Sequence, residues 1–452
     1  MQINLLRFFI LFLLYAAPVN LVAQINVGDS LALVDLYDST NGVNWWSNNN
    51  WKTLAPVSTW SGISVINNRV IGMQMHGNNA SGTIPSSFKN LDGMTSIDFI
   101  DNGFRGDLLS YISNFKGIGT VHIGEQYLTG PFPTAFGYLP NLTSIYIYGP
   151  GFNGPIPVSF KNLTSLIALD VSYSAHSGDI PSEELSNLNF GKHSLVLTAN
   201  RYTFRELEPL VEIFRAKNKE DVLEYTDQAN IATIQRNDDL VVSAGGVLPH
   251  NTYQWYKEGT GLVATFIGDS TYSPTVPGIY SASVTNSVAT QLTLNSIPVK
   301  AAAVRVPVCP LPTPFFVNSD VYGNTYQWQE SVDSVTFNNI ADNTNYIGTQ
   351  EVSLQLQNLP SSWYGRKYRC IANGINSTVF TIDFSNTWIS TGTTNWENSA
   401  NWSCGKLPDM KTDVVINSGT VVLNSNVIIR SLHLGNGVTF IVSPGYKLII
   451  NH

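Results

Sequence analysis

Seven acidic, imidazole or phenol side chains recur at related positions in the first half of the sequence. They are Asp98, His122, Glu125, Tyr146, Tyr148, Asp170 and Tyr173. Aromatic rings stack and these polar groups form hydrogen bonds, so the set suits recognition of a polypeptide or a glycan. Tyrosine also favours β-strands, so an ordinary exposed sheet face explains the same residues.

No sequence motif for catalysis or cofactor binding is present. The chain lacks GxSxG, HExxH, a P-loop and a dinucleotide-binding glycine pattern, and its seven histidines are scattered. The pairs Glu183-Glu184 and Asp238-Asp239 are adjacent carboxylates, but neighbours in sequence usually point apart. We therefore expect a protein that is not an enzyme and that holds no cofactor or metal ion.

A glycine recurs every 24 residues, at Gly82, Gly106, Gly130, Gly154 and Gly178. A fixed period of this length predicts a solenoid, in which each repeat buries its apolar face against its neighbours. One alternating apolar pair per repeat predicts a very short strand with both side chains inward. The pairs are Ile97/Phe99, Val121/Ile123, Ile145/Ile147 and Leu169/Val171.

The repeat pattern GxIPxxFxxLxxLxxLxL, over about residues 60–205, resembles the plant-type leucine-rich repeat. The resemblance implies a curved solenoid with a parallel sheet on its concave face, where the seven side chains would bind a ligand. It also implies a ladder of buried asparagines between coils. Asn78, Asn102 and Asn200 match this ladder, whereas Gln126, Pro150 and Ser174 do not.

Caps are expected at both ends of the repeats, giving a leucine-rich-repeat domain over residues 24–225. Before the repeats stand Trp45, Trp46, Trp51 and Trp60. These rings can stack on sugars, but aromatics in this place more often seal the first coil of a solenoid. After the repeats, residues 201–218 have the apolar spacing of a helical cap.

Two modules of short alternating strands follow, over residues 226–298 and 299–385. The segments around Trp255 and Tyr280, and around Trp328 and Tyr368, resemble immunoglobulin-like domains in exported proteins of Bacteroidetes-type bacteria. The resemblance implies that the tryptophans are core residues and that the tyrosines occupy the tyrosine-corner position.

The three cysteines are compatible with an exported protein that has one disulfide and one unpaired thiol. Within the second immunoglobulin-like module we expect a disulfide between Cys309 and Cys370. Cys309 stands 19 residues before Trp328, farther than usual, so an earlier strand is an alternative place for it. The sequence does not assign Cys404.

The last segment, residues 386–452, resembles the first coils of a right-handed β-solenoid. Its short strands are separated by Gly, Asn and Pro. The sequence stops after Ile449-Ile450 without a cap motif, which is expected of either a short gene product or a fragment.

The first residues read as an export signal, with Arg7 before the apolar run 8–17 and a cleavage point after Ala23. Residues 1–23 are therefore predicted to be a signal peptide, and no later segment is expected to cross a membrane. The net charge of −8 is spread along the chain without a basic cluster, which argues against nucleic acid as a partner.

Together these features predict a mostly β, modular protein: a leucine-rich-repeat solenoid, immunoglobulin-like β-sandwiches and a short β-solenoid-like segment. We expect a secreted or cell-surface protein that binds or adheres, without catalysis, to an extracellular protein or polysaccharide. One alternative is a glycan-binding accessory part of a carbohydrate-degrading protein. The other is a structural surface stalk.

Overall fold

The structure is a computed structural model that describes residues 25–124, 127–309, 314–435 and 437–451. The predicted signal peptide, residues 1–23, lies outside the described residues. The chain forms two compact units, one ending at Ala229 and the other beginning at Asn230. Within the described ranges, no helix is both long enough and apolar enough to span a bilayer.

The first unit consists of short strands separated by turns and short helices. Its α-helices are α1 (Val27–Ser39), α2 (Leu108–Ile112), α3 (Ser182–Ser186) and α4 (Phe204–Ala216). Its 3₁₀ helices are Gly42–Asn44, Val57–Thr59, Ser86–Asn90, Thr134–Tyr138, Val158–Asn162 and Glu220–Val222. Its strands are β1 (Ile63–Ile66), β2 (Arg69–Gln74), β3 (Ser81–Thr83), β4 (Ser96–Ile100), β5 (Gly103–Arg105), β6 (Thr120–Gly124), β7 (Ser144–Tyr148), β8 (Asn153–Gly154), β9 (Ala168–Asp170), β10 (Ala175–His176), β11 (Leu195–Val196) and β12 (Leu223–Glu224).

One sheet runs the length of this unit in the order β1-β2-β4-β6-β7-β9-β11-β12. The β1–β2 pair is antiparallel, and every later pair is parallel. From β2 to β9, neighbouring strands pair residues 24 positions apart, as Ile97 pairs with Val121 and Val121 with Ile145. The inward side chains of β4, β6 and β7 are at most 1 % exposed. The repeat therefore forms the predicted solenoid of leucine-rich-repeat type, with its core between the strands and the turns.

Side-chain amides connect neighbouring coils where the ladder is present. The Asn102 amide accepts hydrogen bonds from the backbone N–H groups of Asn78 and Ala80, at 3.0 and 3.1 Å. Asn200 repeats this arrangement with the N–H of His176, at 2.9 Å. These bonds satisfy buried backbone groups that have no partner within their own coil.

Tryptophans seal the start of the solenoid. Trp45, Trp51 and Trp60 are each about 5 % exposed or less, and their ring centroids follow one another at 4.8 and 4.9 Å. The indole N–H of Trp45 donates to the carbonyl oxygen of Thr40 at 2.9 Å. Trp46 is exposed, whereas the other three rings are core and are not available for stacking on sugars.

The solenoid continues one coil beyond the predicted repeats. Helix α4 begins with a capping box between Thr203 and Glu206. The chain then returns to the sheet as β12, which pairs in parallel with β11. Gln228 takes the ladder position there, accepting from the N–H of Tyr202 at 3.0 Å and donating to the carbonyl oxygen of Leu197 at 2.8 Å.

The second unit is built from many short strands, with 3₁₀ helices at Leu248–His250, Ser361–Trp363 and Ser399–Asn401. The first strands are β13 (Thr233–Arg236), β14 (Asp239–Val242), β15 (Asn251–Lys257), β16 (Gly261–Ile267), β17 (Thr271–Tyr272), β18 (Ile279–Asn286), β19 (Thr293–Asn295) and β20 (Val299–Lys300). The next are β21 (Ala303–Val308), β22 (Phe315–Asn318), β23 (Tyr326–Ser331), β24 (Asn338–Asn339), β25 (Tyr346–Ile347), β26 (Ser353–Leu356), β27 (Lys367–Ala372), β28 (Ile375–Asn376) and β29 (Val379–Thr387). The last are β30 (Thr393–Asn395), β31 (Asp413–Ile416), β32 (Thr420–Leu423), β33 (Val427–Ile429), β34 (Ser431–Leu434), β35 (Thr439–Val442) and β36 (Leu448–Ile450).

The strands before β21 form two antiparallel sheets, β13-β14-β17 and β16-β15-β18-β19, with β20 paired to β18. Trp255 of β15 is fully buried and stacks on Tyr272 of the other sheet, with ring centroids 5.5 Å apart. The hydroxyl of Tyr280 donates to the carbonyl oxygen of Val276 at 2.6 Å. The Tyr280 ring also packs against Tyr272 of the other sheet, with centroids 5.5 Å apart, so both aromatic residues contribute to the contact between the two sheets.

The strands from β21 to β29 form a second set of sheets. One has the order β22-β26-β25, and the other contains β24-β23-β27-β29, with β21 also paired to β29. Trp328 of β23 and Tyr368 of β27 are both fully buried. The hydroxyl groups of Tyr368 and Tyr346 lie 3.3 Å apart.

Strand β29 leads directly into a stack of parallel coils. Its end pairs in parallel with β31, which pairs in parallel with β34. The series β30-β32-β35 and the pair β33-β36 are also parallel, so successive turns stack in register. Trp388, Trp396 and Trp402 are buried among the aliphatic side chains of these coils.

The disulfide joins Cys309 to Cys404, so the predicted Cys309–Cys370 bond is wrong. Cys370 has a buried free thiol. It lies beside Ser377, because the Ser377 N–H donates a hydrogen bond to the carbonyl oxygen of Cys370. Cys309 follows Val308, which pairs with Phe384, so it lies near Ser385. Strands β27 and β21 both pair with β29, so Ser377 and Ser385 mark the levels of Cys370 and Cys309 along that part of the chain. The eight residues between these two levels span roughly 26 Å in an extended strand. A disulfide needs Cα atoms within about 7 Å.

Candidate functional site

Four of the predicted binding residues form one row across the outer side of the parallel sheet. Asp98 pairs with His122, His122 with Tyr146 and Tyr146 with Asp170. Neighbouring strands lie about 4.8 Å apart, so these side chains are direct lateral neighbours. We call the outer side of β4, β6, β7 and β9 the sheet face.

His122 connects the acidic and aromatic parts of this row. Its Nδ1 lies 3.9 Å from Oδ1 of Asp98, and its ring centroid lies 5.4 Å from that of Tyr146 and 6.0 Å from that of Tyr148. Such edge and tilted contacts between rings are favourable. The row is therefore a contiguous surface and not a set of isolated side chains.

Tyr148 is fixed by a hydrogen bond to the neighbouring coil. Its hydroxyl donates to Oδ2 of Asp170 at 3.2 Å, and the backbone N–H of Ser172 donates to Oδ1 at 2.9 Å. Burial raises the pKa of Tyr148, and the negative charge of Asp170 raises it further. The phenol therefore stays protonated near neutral pH.

A glycine leaves a gap beside Tyr148. In this second row Ile100 pairs with Gly124, and Gly124 pairs with Tyr148. A Cβ atom on Gly124 would lie 3.2 Å from Cγ2 of Ile100 and 3.5 Å from Cδ2 of Tyr148. Because Gly124 has no side chain, its backbone forms the floor of a gap between the side chains of Ile100 and Tyr148.

Tyr173 stands in a backbone conformation that favours glycine. Its φ is +52°, and the corresponding residues of other coils, Gly77, Asp101 and Gly149, also have positive φ. A left-handed conformation costs a residue with a Cβ atom about 1–2 kcal/mol. The Tyr173 side chain is 71 % exposed, so burial of its ring does not offset this cost. Strain of this kind often marks a residue kept for function.

These side chains surround one groove of about 540 Å³. Its lining consists of Ile100, Asp101, Gly124, Tyr148, Gly149, Pro150, Asp170, Ser172 and Tyr173. The structure thus brings Tyr148, Asp170 and Tyr173 to the groove and places Asp98, His122 and Tyr146 in the adjoining row. Glu125 lies outside the described residues.

The groove lies where the asparagine ladder is interrupted. Pro150 lines it at one ladder position. At the next position the hydroxyl of Ser174 bonds only to carbonyl oxygens, those of Ser172 at 3.1 Å and Ile147 at 3.5 Å. The sequence did not predict Gly124, Pro150 or Asp101 as site residues. The signal for Pro150 was the lapse in the ladder, and the signal for Asp101 was the recurrent turn position after each strand, whereas Gly124 had none.

The sheet face is acidic and aromatic. Strands β4, β6, β7 and β9 contain no lysine or arginine. Asp101, at the edge of the groove, has the imidazole Nε2 of His76 at 3.6 Å from its Oδ2. This arrangement can stack with and donate hydrogen bonds to a ligand, and its carboxylates can accept them.

The adjacent carboxylates elsewhere in the chain are engaged in local contacts. Oε1 of Glu183 lies 2.9 Å from Nζ of Lys217. Asp238 is buried and accepts hydrogen bonds from Lys367 at 2.9 Å and Thr381 at 2.8 Å. Its neighbour Asp239 accepts from Ser273 instead. Glu183, Asp238 and Asp239 are therefore engaged in contacts that support the surrounding structure.

Comparisons with known proteins give structural similarities only. No family model matches the chain, and no curated protein matches it. The ectodomain of BIR2 from Arabidopsis thaliana is 19 % identical, with 46 % of this chain and 96 % of that chain matched at a TM-score of 0.33. A plant ice-binding protein is 20 % identical, with 47 % and 66 % matched at a TM-score of 0.38.

The PEPR1–AtPEP1 complex is another match, 20 % identical at a TM-score of 0.36. The match covers 46 % of this chain and 32 % of that chain. This chain thus spans about a third of the length of that protein.

Proposed function

We propose that this chain is an extracellular, non-enzymatic binding or adhesion protein whose sheet face holds the ligand. The partner is an extracellular protein or polysaccharide. The proposal rests chiefly on one observation: predicted polar and aromatic side chains from separate repeats meet in one row beside one groove.

Three details favour a binding surface over an ordinary exposed sheet face. The Tyr148 ring is oriented by Asp170, Gly124 leaves a gap, and Tyr173 occupies a strained backbone position. The regular repeat requires neither the hydrogen bond between Tyr148 and Asp170 nor the gap at Gly124. It requires a positive φ at the turn position of Tyr173, but not a tyrosine there, since Gly77 and Gly149 occupy that position in other coils. Side chains held in place before binding lose little conformational freedom when a ligand arrives.

The disulfide supports export, because such bonds persist mainly in oxidising compartments. We infer that residues 226–298 and 299–385 are immunoglobulin-like modules and that residues 386–452 begin a β-solenoid. The buried Trp255 and Trp328 and the parallel coils after β29 support this assignment. In this proposal the modules act as spacers or secondary contacts for the binding domain.

The test is a binding screen of the full chain on glycan and extracellular-protein arrays. A Tyr146→Ala/Tyr148→Ala double variant should lose at least nine-tenths of the signal for any ligand found. The control is Tyr138→Ala, because Tyr138 is 63 % exposed on a 3₁₀ helix away from the strands of the sheet face. Circular dichroism of the wild type, the double variant and the control checks that the three proteins are equally folded. Binding that survives the double substitution would favour the structural-stalk alternative.

A further inference from the structure

We propose that the groove beside Tyr148 takes cationic side chains of an extended polypeptide. This inference rests on the proposed binding function of the sheet face and adds the chemical class of the ligand. The occupant is a partner chain with arginine or lysine residues, lying across the coils.

The charge of the groove is complementary to that of a cation. The groove lining contains the carboxylates Asp101 and Asp170, and it contains no lysine or arginine. Asp98 adds a third carboxylate in the adjoining row. An acidic ligand would meet like charges here, whereas a guanidinium or ammonium group would be attracted.

The groove also presents tyrosine rings beside its carboxylates. Arginine stacks its planar guanidinium on aromatic rings while its N–H groups bond carboxylates. The Tyr148 hydroxyl and the Asp170 carboxylate are joined by a 3.2 Å hydrogen bond, so a ring and a carboxylate are neighbours in the groove. Each oxygen of Asp170 accepts one bond and keeps capacity for another. The ring of Tyr173 is exposed at the same groove.

The spacing of the two carboxylates sets the number of cationic groups. Asp101 follows β4, and Asp170 lies on β9, three strands farther along the sheet. Three strand spacings correspond to about 14 Å, more than one guanidinium can bridge. Because an extended chain rises about 3.3 Å per residue, the ligand should carry two basic residues separated by four or more positions.

A random nine-residue peptide library, selected on the immobilised full chain, tests this inference. Recovered peptides should be enriched at least threefold in Arg plus Lys relative to the input library. The enrichment should vanish when the library is selected on the Asp101→Asn/Asp170→Asn variant, in which the amides retain hydrogen-bond acceptors but carry no charge. The enrichment should persist when the library is selected on the control variant Asp35→Asn, which lacks an exposed carboxylate of α1.

Synthetic copies of the selected peptides provide the second measurement. Replacing their arginines by citrulline, which keeps the shape and removes the charge, should raise the Kd at least tenfold at 50 mM NaCl. Gly124→Leu, which fills the floor of the groove, should weaken binding of the unmodified peptides by a similar factor.

Recovery of no peptides, recovery without basic enrichment, or an unchanged Kd with citrulline would overturn the inference. So would a neutral polysaccharide as the only ligand. If such a ligand still loses binding in Tyr146→Ala/Tyr148→Ala, the proposed function stands and only the cationic class fails. If binding of every ligand survives that substitution, both proposals fail.

Discussion

The hydroxyl group of Tyr148 donates a hydrogen bond to Oδ2 of Asp170, 3.2 Å away on the next coil. The bond joins two repeats on their solvent side, where the core contributes nothing to holding them in register. It also fixes the direction of the phenol ring at the edge of the groove. A single polar contact thus connects the stability of the solenoid with the geometry of its proposed ligand site.

Replacing Tyr148 by Phe should lower the free energy of unfolding by about 0.5–1.5 kcal/mol, because the hydrogen bond to Asp170 is lost. Urea denaturation with an unchanged m-value measures the difference. The control is Tyr146→Phe, since the described residues provide no hydrogen bond to the Tyr146 hydroxyl. An equal loss of stability in both variants would contradict the role of the bond.

Replacing Tyr173 by Gly should leave the unfolding free energy unchanged or raise it by up to about 1 kcal/mol. Glycine relieves the left-handed strain of about 1–2 kcal/mol, and its greater freedom in the unfolded chain offsets part of the gain. The same variant should lose affinity for any ligand of the groove. Thermal unfolding and binding are measured in parallel, and a destabilisation above 1 kcal/mol would show that Tyr173 is a structural residue.

The regular part of the solenoid was predictable because one physical constraint repeats. Each coil must bury its two inward side chains, so apolar pairs such as Ile97/Phe99 recur with the period of the strands. That period also fixes which side chains face outward. The same period predicted that Asp98, His122, Tyr146 and Asp170 face outward from neighbouring strands. The structure pairs these residues laterally in one row.

The less regular parts were missed because different residues perform the same task. The last coil, β12, uses Gln228 in place of asparagine and comes after a helix, so neither period nor residue type revealed it. The groove depends on an absence at Gly124 and on the turn conformation of Asp101. An absent side chain leaves no distinct pattern in one sequence, and the recurrent turn position of Asp101 is occupied by other residue types in other coils, among them Gly149 and Tyr173.

The cysteine pairing could not be predicted because it depends on a non-local strand arrangement. Strand β21 pairs in parallel with β29, which places Cys309 beside the first coil of the following segment. Sγ of Cys404 lies 3.3 Å from the carbonyl oxygen of Ser385 in that coil. Cys370 instead faces the core, where burial raises the pKa of its thiol.

Removing the disulfide by Cys404→Ala should lower the stability of the second unit by roughly 4–5 kcal/mol, the loop-closure estimate for a bond spanning 95 positions. Cys370→Ala should keep the disulfide and lose only core packing. Non-reducing peptide mapping should find the Cys309 and Cys404 peptides linked in the wild type and in Cys370→Ala. A Cys309–Cys370 peptide would contradict the structure.

Stability of the first unit should fall in mild acid because of His176. This imidazole is fully buried, is stacked on Phe132 with centroids 5.3 Å apart, and contacts the Gly154 carbonyl oxygen through Nδ1 at 3.0 Å. Burial lowers the pKa of His176, although the Gly154 contact opposes the shift. The unfolded chain therefore binds the proton more readily, and stability is lost as the pH falls below the unfolded value of about 6.5.

Urea midpoints measured between pH 7.5 and pH 5 test this prediction. His176→Gln should reduce the pH dependence, because the amide does not titrate. His433→Gln, at an exposed position of the second unit, should leave it unchanged. An equal pH slope in wild type and His176→Gln would contradict the assignment.

The carboxyl groups of Asp383 and Asp413 should give the second unit the opposite pH dependence. Burial raises the pKa of Asp383 to about 6, and its hydrogen bond with Asp413 adds to the shift. Asp413 keeps its charge because it pairs with Arg430 and accepts from Tyr364 at 3.0 Å, while Arg305 lies 3.8 Å from Asp383. The folded state thus binds the Asp383 proton more tightly than the unfolded chain does.

This stabilisation is complete below the ordinary Asp value of about 3.8 and is lost as the pH rises through about 6. Hydrogen exchange of the amides in β29 and β31, corrected for intrinsic rates, should therefore report greater protection at pH 4.5 than at pH 7. Asp383→Asn should remove the difference, because the amide mimics the protonated acid at every pH. The control Glu258→Gln, at an exposed position, should retain it. Protection that rises with pH in the wild type would mean that Asp383 is ionised in the folded protein.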